Sequence, residues 1–244
     1  MTSRVGRYAL YQFRDYALGS GGATLICGVL FVLVASVFTL NGMPVGAGSP
    51  FAKSTVAFVF GALGFAGPVI ALTNLVSEDR IRGYYRFVLA APVSPVRFYV
   101  QAYLVRGVGL LVIAVLLWLV AFWRIGPVSL PGALAFIALC YLMVGGLTML
   151  FSSLGRFAWL AIGALWVAGG MTTLGANLST TWSPAWRALH AVLPPFHLIS
   201  VLDQTLIAQA EPATPIGTYL WFAGYGALAV AALVTVLRKR EWGG

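Results

Sequence analysis

Six apolar runs, each close to the length of a membrane crossing, limit this chain more than any other feature. They fall at about residues 23–40, 54–75, 101–123, 131–151, 158–178 and 215–237. A hydrocarbon core about 30 Å thick takes roughly 20 helical residues to cross. A backbone in lipid must satisfy its own hydrogen bonds, so each run is expected to be a helix. Only 9% of the 244 residues are charged and 60% are hydrophobic. A soluble domain carries roughly a quarter charged residues. The expected fold class is therefore an all-α integral membrane domain of six transmembrane helices, a single unit over 1–244.

The basic residues orient it. With both termini inside, Arg4, Arg7, Arg14, Arg80, Arg82, Arg86, Arg97, Arg106, Arg156, Arg238, Lys239 and Arg240 are cytoplasmic, leaving Lys53, Arg124 and Arg187 outside. Twelve against three is a decisive positive-inside bias, so the expected topology is N-in, C-in. The net charge of +9 is dispersed at the ends of apolar runs, which argues against a nucleic-acid partner. The first 20 residues are too polar for a secretory leader, so no cleaved signal is expected. Residues 4–17 read as an interfacial helix, with Ala9, Leu10, Phe13, Tyr16 and Ala17 on one face and Arg4, Arg7 and Arg14 on another. A solvated leader is the plainer alternative. Gly19 to Gly22 should break it. In the second run Gly67-Pro68 predicts a kink, either a hinge or a fixed bend.

As drawn, the spans hold no ionisable residue except Arg106, close enough to an inner end to snorkel. Charge at depth marks proton relays, ion paths and voltage sensors, so its scarcity argues against a proton-coupled carrier, a voltage-gated channel and an intramembrane enzyme. Gly48 to Ser54 is the nearest approach to a phosphate loop; it lacks the glycine before lysine and contains Pro50. Cys27 and Cys140 lie alone in apolar runs, where thiols act as small hydrophobes. No catalytic, cofactor-binding or metal-binding residues are expected. Motion would have to be delivered by a partner.

The place to deliver it is the polar segment Val76 to Val100. Ser77 reads as an N-cap, and Glu78 and Asp79 put negative charge at the start of a helix over 77–90. That helix stops before Pro92, and Ser94-Pro95 restarts the chain into the third span. In order, Glu78-Asp79-Arg80, Arg82-Gly83, Phe87-Val88-Leu89 and Pro92-Val93-Ser94 resemble the cytoplasmic loop of ABC-2 type permeases, the membrane subunits of certain ATP-binding-cassette exporters. Tyr84-Tyr85 departs from the threonine and acidic residue of many relatives. The resemblance extends to the six-span plan and the N-terminal interfacial helix. It implies that 77–90 is a coupling helix held in a cleft of the ATPase, with Ser77, Glu78, Asp79, Arg80, Arg82, Gly83, Tyr84, Phe87 and Leu89 as its docking residues. It further implies two copies of a cytoplasmic ABC ATPase that bind ATP and Mg, a second permease copy (identical or a paralogue), surrounding membrane lipids and a plasma-membrane location.

Residues 183–209 hold two short apolar runs broken at Leu193-Pro194-Pro195, too short to span and expected to be a re-entrant or interfacial helical hairpin. The family has a comparable outer hairpin, so Leu193, Pro194, Pro195 and Phe196 are implied to close the outer mouth. His190, His197 and Asp203 lie here without metal-ligand spacing. Gly169, Gly170, Thr172, Thr173 and Asn177 either line a path or let helices approach closely. Trp118, Phe122, Trp159, Trp166 and Trp221 suit a lipophilic drug, lipid or natural product, or form interfacial belts. The expected function is ATP-driven export; a non-transporting anchor or assembly subunit and a lipid-linked glycan exporter are the alternatives.

Overall fold

A computed structural model describes residues 2–41, 50–73, 75–81, 94–155, 157–178, 188, 192–209 and 215–241. Among these, every regular element is helical. The long helices are α1 (Thr2–Tyr16), α2 (Gly22–Asn41), α3 (Pro50–Leu72), α5 (Pro95–Arg124), α8 (Ala158–Leu178) and α10 (Ile216–Glu241). Shorter ones are α4 (Leu75–Ile81), α6 (Leu130–Cys140), α7 (Gly146–Leu154) and α9 (Ile199–Leu206). A widened π turn, Tyr141–Gly145, joins α6 to α7.

Five helical stretches are long and apolar enough to cross a membrane: Ala9–Val34, Lys53–Ser77, Val96–Arg124, Leu130–Leu154 and Ile216–Lys239. Their outer surface has the character lipid requires, with Ile26, Leu30, Phe58, Leu104, Leu220 and Leu228 all more than half exposed. A soluble protein rarely leaves so much contiguous apolar surface uncovered. The chain is a helical multi-pass membrane protein. In α8 the described apolar stretch is Ala158–Met171.

Helix α3 stands at the centre. Gly61, Gly64 and Gly67 recur every third residue, and each meets a different neighbour: the Asp203 side chain on α9, Phe136 and Cys140 on α6, and Leu110 on α5. A Cβ at any of the three would come within 3.1 Å of those side chains, so the row lets three helices close on one. Packing rather than hydration must hold such helices together, and small residues at contacts are how that is achieved. Pro68 lies inside the helix, which continues to Leu72.

The caps are where local chemistry places them. Ser94 accepts a hydrogen bond from the Arg97 amide (3.2 Å) with Pro95 at the first turn, and Ser129 accepts from Gly132 (3.1 Å) ahead of α6. Gly19 takes a non-helical conformation (φ −97°, ψ −116°) between α1 and α2, so the expected break is present. The apolar stretch nevertheless begins before it, at Ala9, earlier than the expected start of the first span.

Three boundaries differ from expectation. Ser77 is not an N-cap: α4 starts at Leu75 and carries Ser77 inside it, buried. The reason is tertiary, because the Val76 amide, one of the orphan donors of the new helix, is met by the Ser152 hydroxyl on α7 (3.3 Å). The fourth run, expected to end at about residue 151, goes further, since α7 continues to Leu154 and ends at Gly155. The fourth crossing is also not one regular helix, being interrupted by the π turn. Residues 82–93, which include Arg82, Gly83, Tyr84, Phe87 and Leu89, and the first arm of the hairpin lie outside the described residues.

Candidate functional site

Opposite halves of α3 carry two polar centres. At the end where α3 stops, Arg106 of α5 turns its guanidinium onto the Ala71 carbonyl. The last carbonyls of a helix lack internal partners and carry partial negative charge, so a cation there satisfies both. This differs from snorkelling toward water; the side chain is spent on a neighbouring helix. Around it, Tyr103 donates to the Tyr141 carbonyl (3.1 Å) and Tyr141 donates back to the Tyr103 carbonyl (2.5 Å), their rings 4.8 Å apart. The Tyr103 hydroxyl thus reaches the carbonyl of the first residue of the π turn. Gly107 and Gly109 follow Arg106, and a Cβ on them would strike the Tyr141 ring (2.7 Å) and the Tyr16 ring (2.5 Å) respectively.

Of the expected coupling residues, Asp79 makes its contact beside this centre. Asp79 on α4 accepts from the Tyr99 hydroxyl of α5 (3.2 Å), while Val76, three residues earlier, is bonded to Ser152 of α7. So α4 is fastened on two sides, to α5 and to α7. The backbone of Glu78 and Arg80 lies in α4.

At the other half of α3 lies a cleft of about 580 Å³ between α3, α8 and the arm that begins at Phe196. The arm starts as a tight turn, with Phe196 donating to the Pro194 carbonyl (2.8 Å) and Leu198 to that of Pro195 (3.0 Å), and becomes α9. Pro194, Pro195 and Phe196 are buried and Leu193 is half-buried. Phe196 meets Phe65 edge to face (5.8 Å, 90°), and Phe65 in turn meets Trp166 (5.8 Å). Of the four expected gate residues, Phe196 lines the cleft. His197 lines it too, its ring set against Trp221 of α10 (6.2 Å).

Asp203 closes this site; the sequence marks it as an acid in an apolar arm without metal-ligand spacing, but not as the buried wall of a cleft. It is 3% exposed, lines the cleft, and its Oδ1 has no hydrogen-bond partner. Burial pushes its carboxyl from the ordinary 3.8 up to about 7, with the neighbouring Gln204 pulling the other way. Gln204 itself reaches the Ser54 carbonyl (3.4 Å), which pins α9 to the start of α3. Gly61 is the counterpart of Asp203 in the fold, since a Cβ there would sit 2.2 Å from Oδ2. No protein-family model matches the chain, and no curated protein matches it.

Proposed function

We propose that the chain is the permease subunit of an ATP-driven exporter similar to ABC-2 type permeases. The observation that supports this best is the attachment of α4. A short helix leading directly into residues 82–93 is fixed to α5 through Asp79 and to α7 through Val76, while Arg106 ties α5 to the end of α3. A force applied to that segment from the cytoplasm reaches three crossings at once. In this reading the topology is N-in and C-in with six spans in a plasma membrane. Two permease copies, identical or paralogous, form the pathway, and two ABC ATPases bind ATP and Mg and grip 77–90. This chain performs no chemistry of its own. Its cargo is a lipophilic drug, lipid or natural product, and Leu193 to Phe196 close the outer mouth.

The test is co-purification. Arg82→Glu or Gly83→Glu is expected to lose the ATPase while the permease still inserts, and ATP-dependent export is lost with it. An ATPase that stays bound to both variants with export intact overturns the coupling role. A wild-type chain that recovers no ATPase under mild solubilisation overturns the permease assignment and leaves a membrane anchor.

A further inference from the structure

We propose that the cleft beside α3 binds the ammonium group of a lipophilic amine, with the Asp203 carboxylate as its counter-ion and the rings of Phe58, Phe65, Trp166 and Phe196 around its apolar body. Three observations converge on this. The first is the acid. An ionised carboxylate withdrawn from water costs several kcal/mol unless something pairs with it. Asp203 has no ion pair among the described residues; Gln204 hydrogen-bonds the carboxyl, but Oδ1 is left without a partner. A ligand that brings a positive charge supplies what the fold withholds.

The second is the lining. Four aromatic rings edge the cleft, and ring faces carry negative potential that attracts cations. The rest of the wall is mainly apolar, including Ala62, Val167 and Met171, which suits a greasy body behind a charged head. A volume of about 580 Å³ lies within the usual range for drug-sized ligands. A metal ion would need several hard or nitrogen donors. Among the described residues no three His, Cys, Asp or Glu side chains gather to provide them.

The third is access. Phe58 and Trp166, at the rim, are more than half exposed on the same apolar surface that would face lipid. A membrane-dissolved amine can therefore enter sideways, apolar part first. An anionic ligand would meet an unpaired acid, and a neutral one would leave that acid as it is, so charge selects the class.

That the amine is cargo rests on the permease reading; that it binds does not, and no ATPase is needed to measure it. The experiment uses the full chain in phosphatidylcholine nanodiscs at pH 8, where the Asp203 carboxyl is ionised, with naphthylethylamine as probe and naphthylethanol as its uncharged counterpart of the same shape. Heat of binding is measured and empty discs are subtracted. Wild type is expected to hold the amine at least about tenfold more tightly than the alcohol, the discrimination one desolvated ion pair readily supplies. Asp203→Asn is expected to bring the two affinities together while still binding the alcohol, which also shows the variant is folded. Equal affinities in wild type, or a preference that survives in Asp203→Asn, overturn the proposal. The wild-type comparison decides even if the variant fails to insert. Adding phosphatidylethanolamine separates two sources of the same chemistry: displacement of the probe assigns the site to a lipid headgroup amine, and no displacement to a free amphiphilic amine.

Discussion

Arg106 and Asp203 lie against the same helix, at Ala71 and Gly61, ten residues or about 15 Å of rise apart. Arg106 is answered from within the fold. A helix-end carbonyl accepts its hydrogen bond, and a reciprocal tyrosine pair packs beside it. Asp203 has only the hydrogen bonds of its neighbour Gln204 and no counter-charge among the described residues, although it is the less exposed of the two. A charge that is paired at home fastens helices together. One left unpaired at the wall of a cleft is costly to the fold, and such a cost persists where something else is served. The contrast separates a structural polar centre from a binding one without reference to any relative.

Substitutions sharpen the contrast. The largest effect is expected at Arg106→Met, which strands the Ala71 carbonyl and removes a charged hydrogen bond, for a loss of about 2–3 kcal/mol in a detergent-based urea titration. Little or no loss there would mean that the two charges are not treated differently. Gly107→Val or Gly109→Val drives a side chain into Tyr141 or Tyr16 and is expected to cost about 1–3 kcal/mol by the same measurement.

Asp203→Asn is expected to act in the opposite direction, and only in part of the pH range. The folded state keeps the Asp203 proton up to about pH 7, whereas the unfolded chain releases it near 3.8. Between those values the folded state binds more protons, so this group's contribution to stability falls as pH rises. The variant should therefore melt a few degrees above wild type at pH 8 and about level with it at pH 4. His197 on the same arm and Cys140 on α6 remain in both proteins, so the difference between the two curves reports the loss of the Asp203 carboxyl together with its effect on these neighbours. Equal curves at both pH values would mean the acid is relieved in a way the structure does not contain. The smallest effect is Tyr99→Phe, which removes one partly buried bond to Asp79 at about 1 kcal/mol.

Much of the architecture was legible because apolar runs and caps are local signals. Ser94-Pro95 starts its helix as expected, and Ser129 caps α6 in the same way. Ser77 carries the same local signal and does not cap, because a hydroxyl 76 positions away meets the Val76 amide instead. No composition marks the π turn at Tyr141 either, since a widened turn depends on what stands beside it. Asp203 was visible as an acid in an apolar arm, but its burial depends on Gly61, and only the fold brings those two together. The glycine row of α3 was the available clue, readable as close packing but silent about which residue would fill the space.

The widened turn at Tyr141–Gly145 also bears on how this chain tolerates changes of length. Such a turn accommodates one surplus amino acid while the flanking helices keep their phase. Excising Leu142 should therefore regularise the crossing and leave Ser152 still within reach of Val76. Excision at Phe136 should instead rotate everything downstream by about 100°, a single step of the helical spiral. The bulge is a slack link, and the one place in that crossing where shortening spares the alignment beyond it.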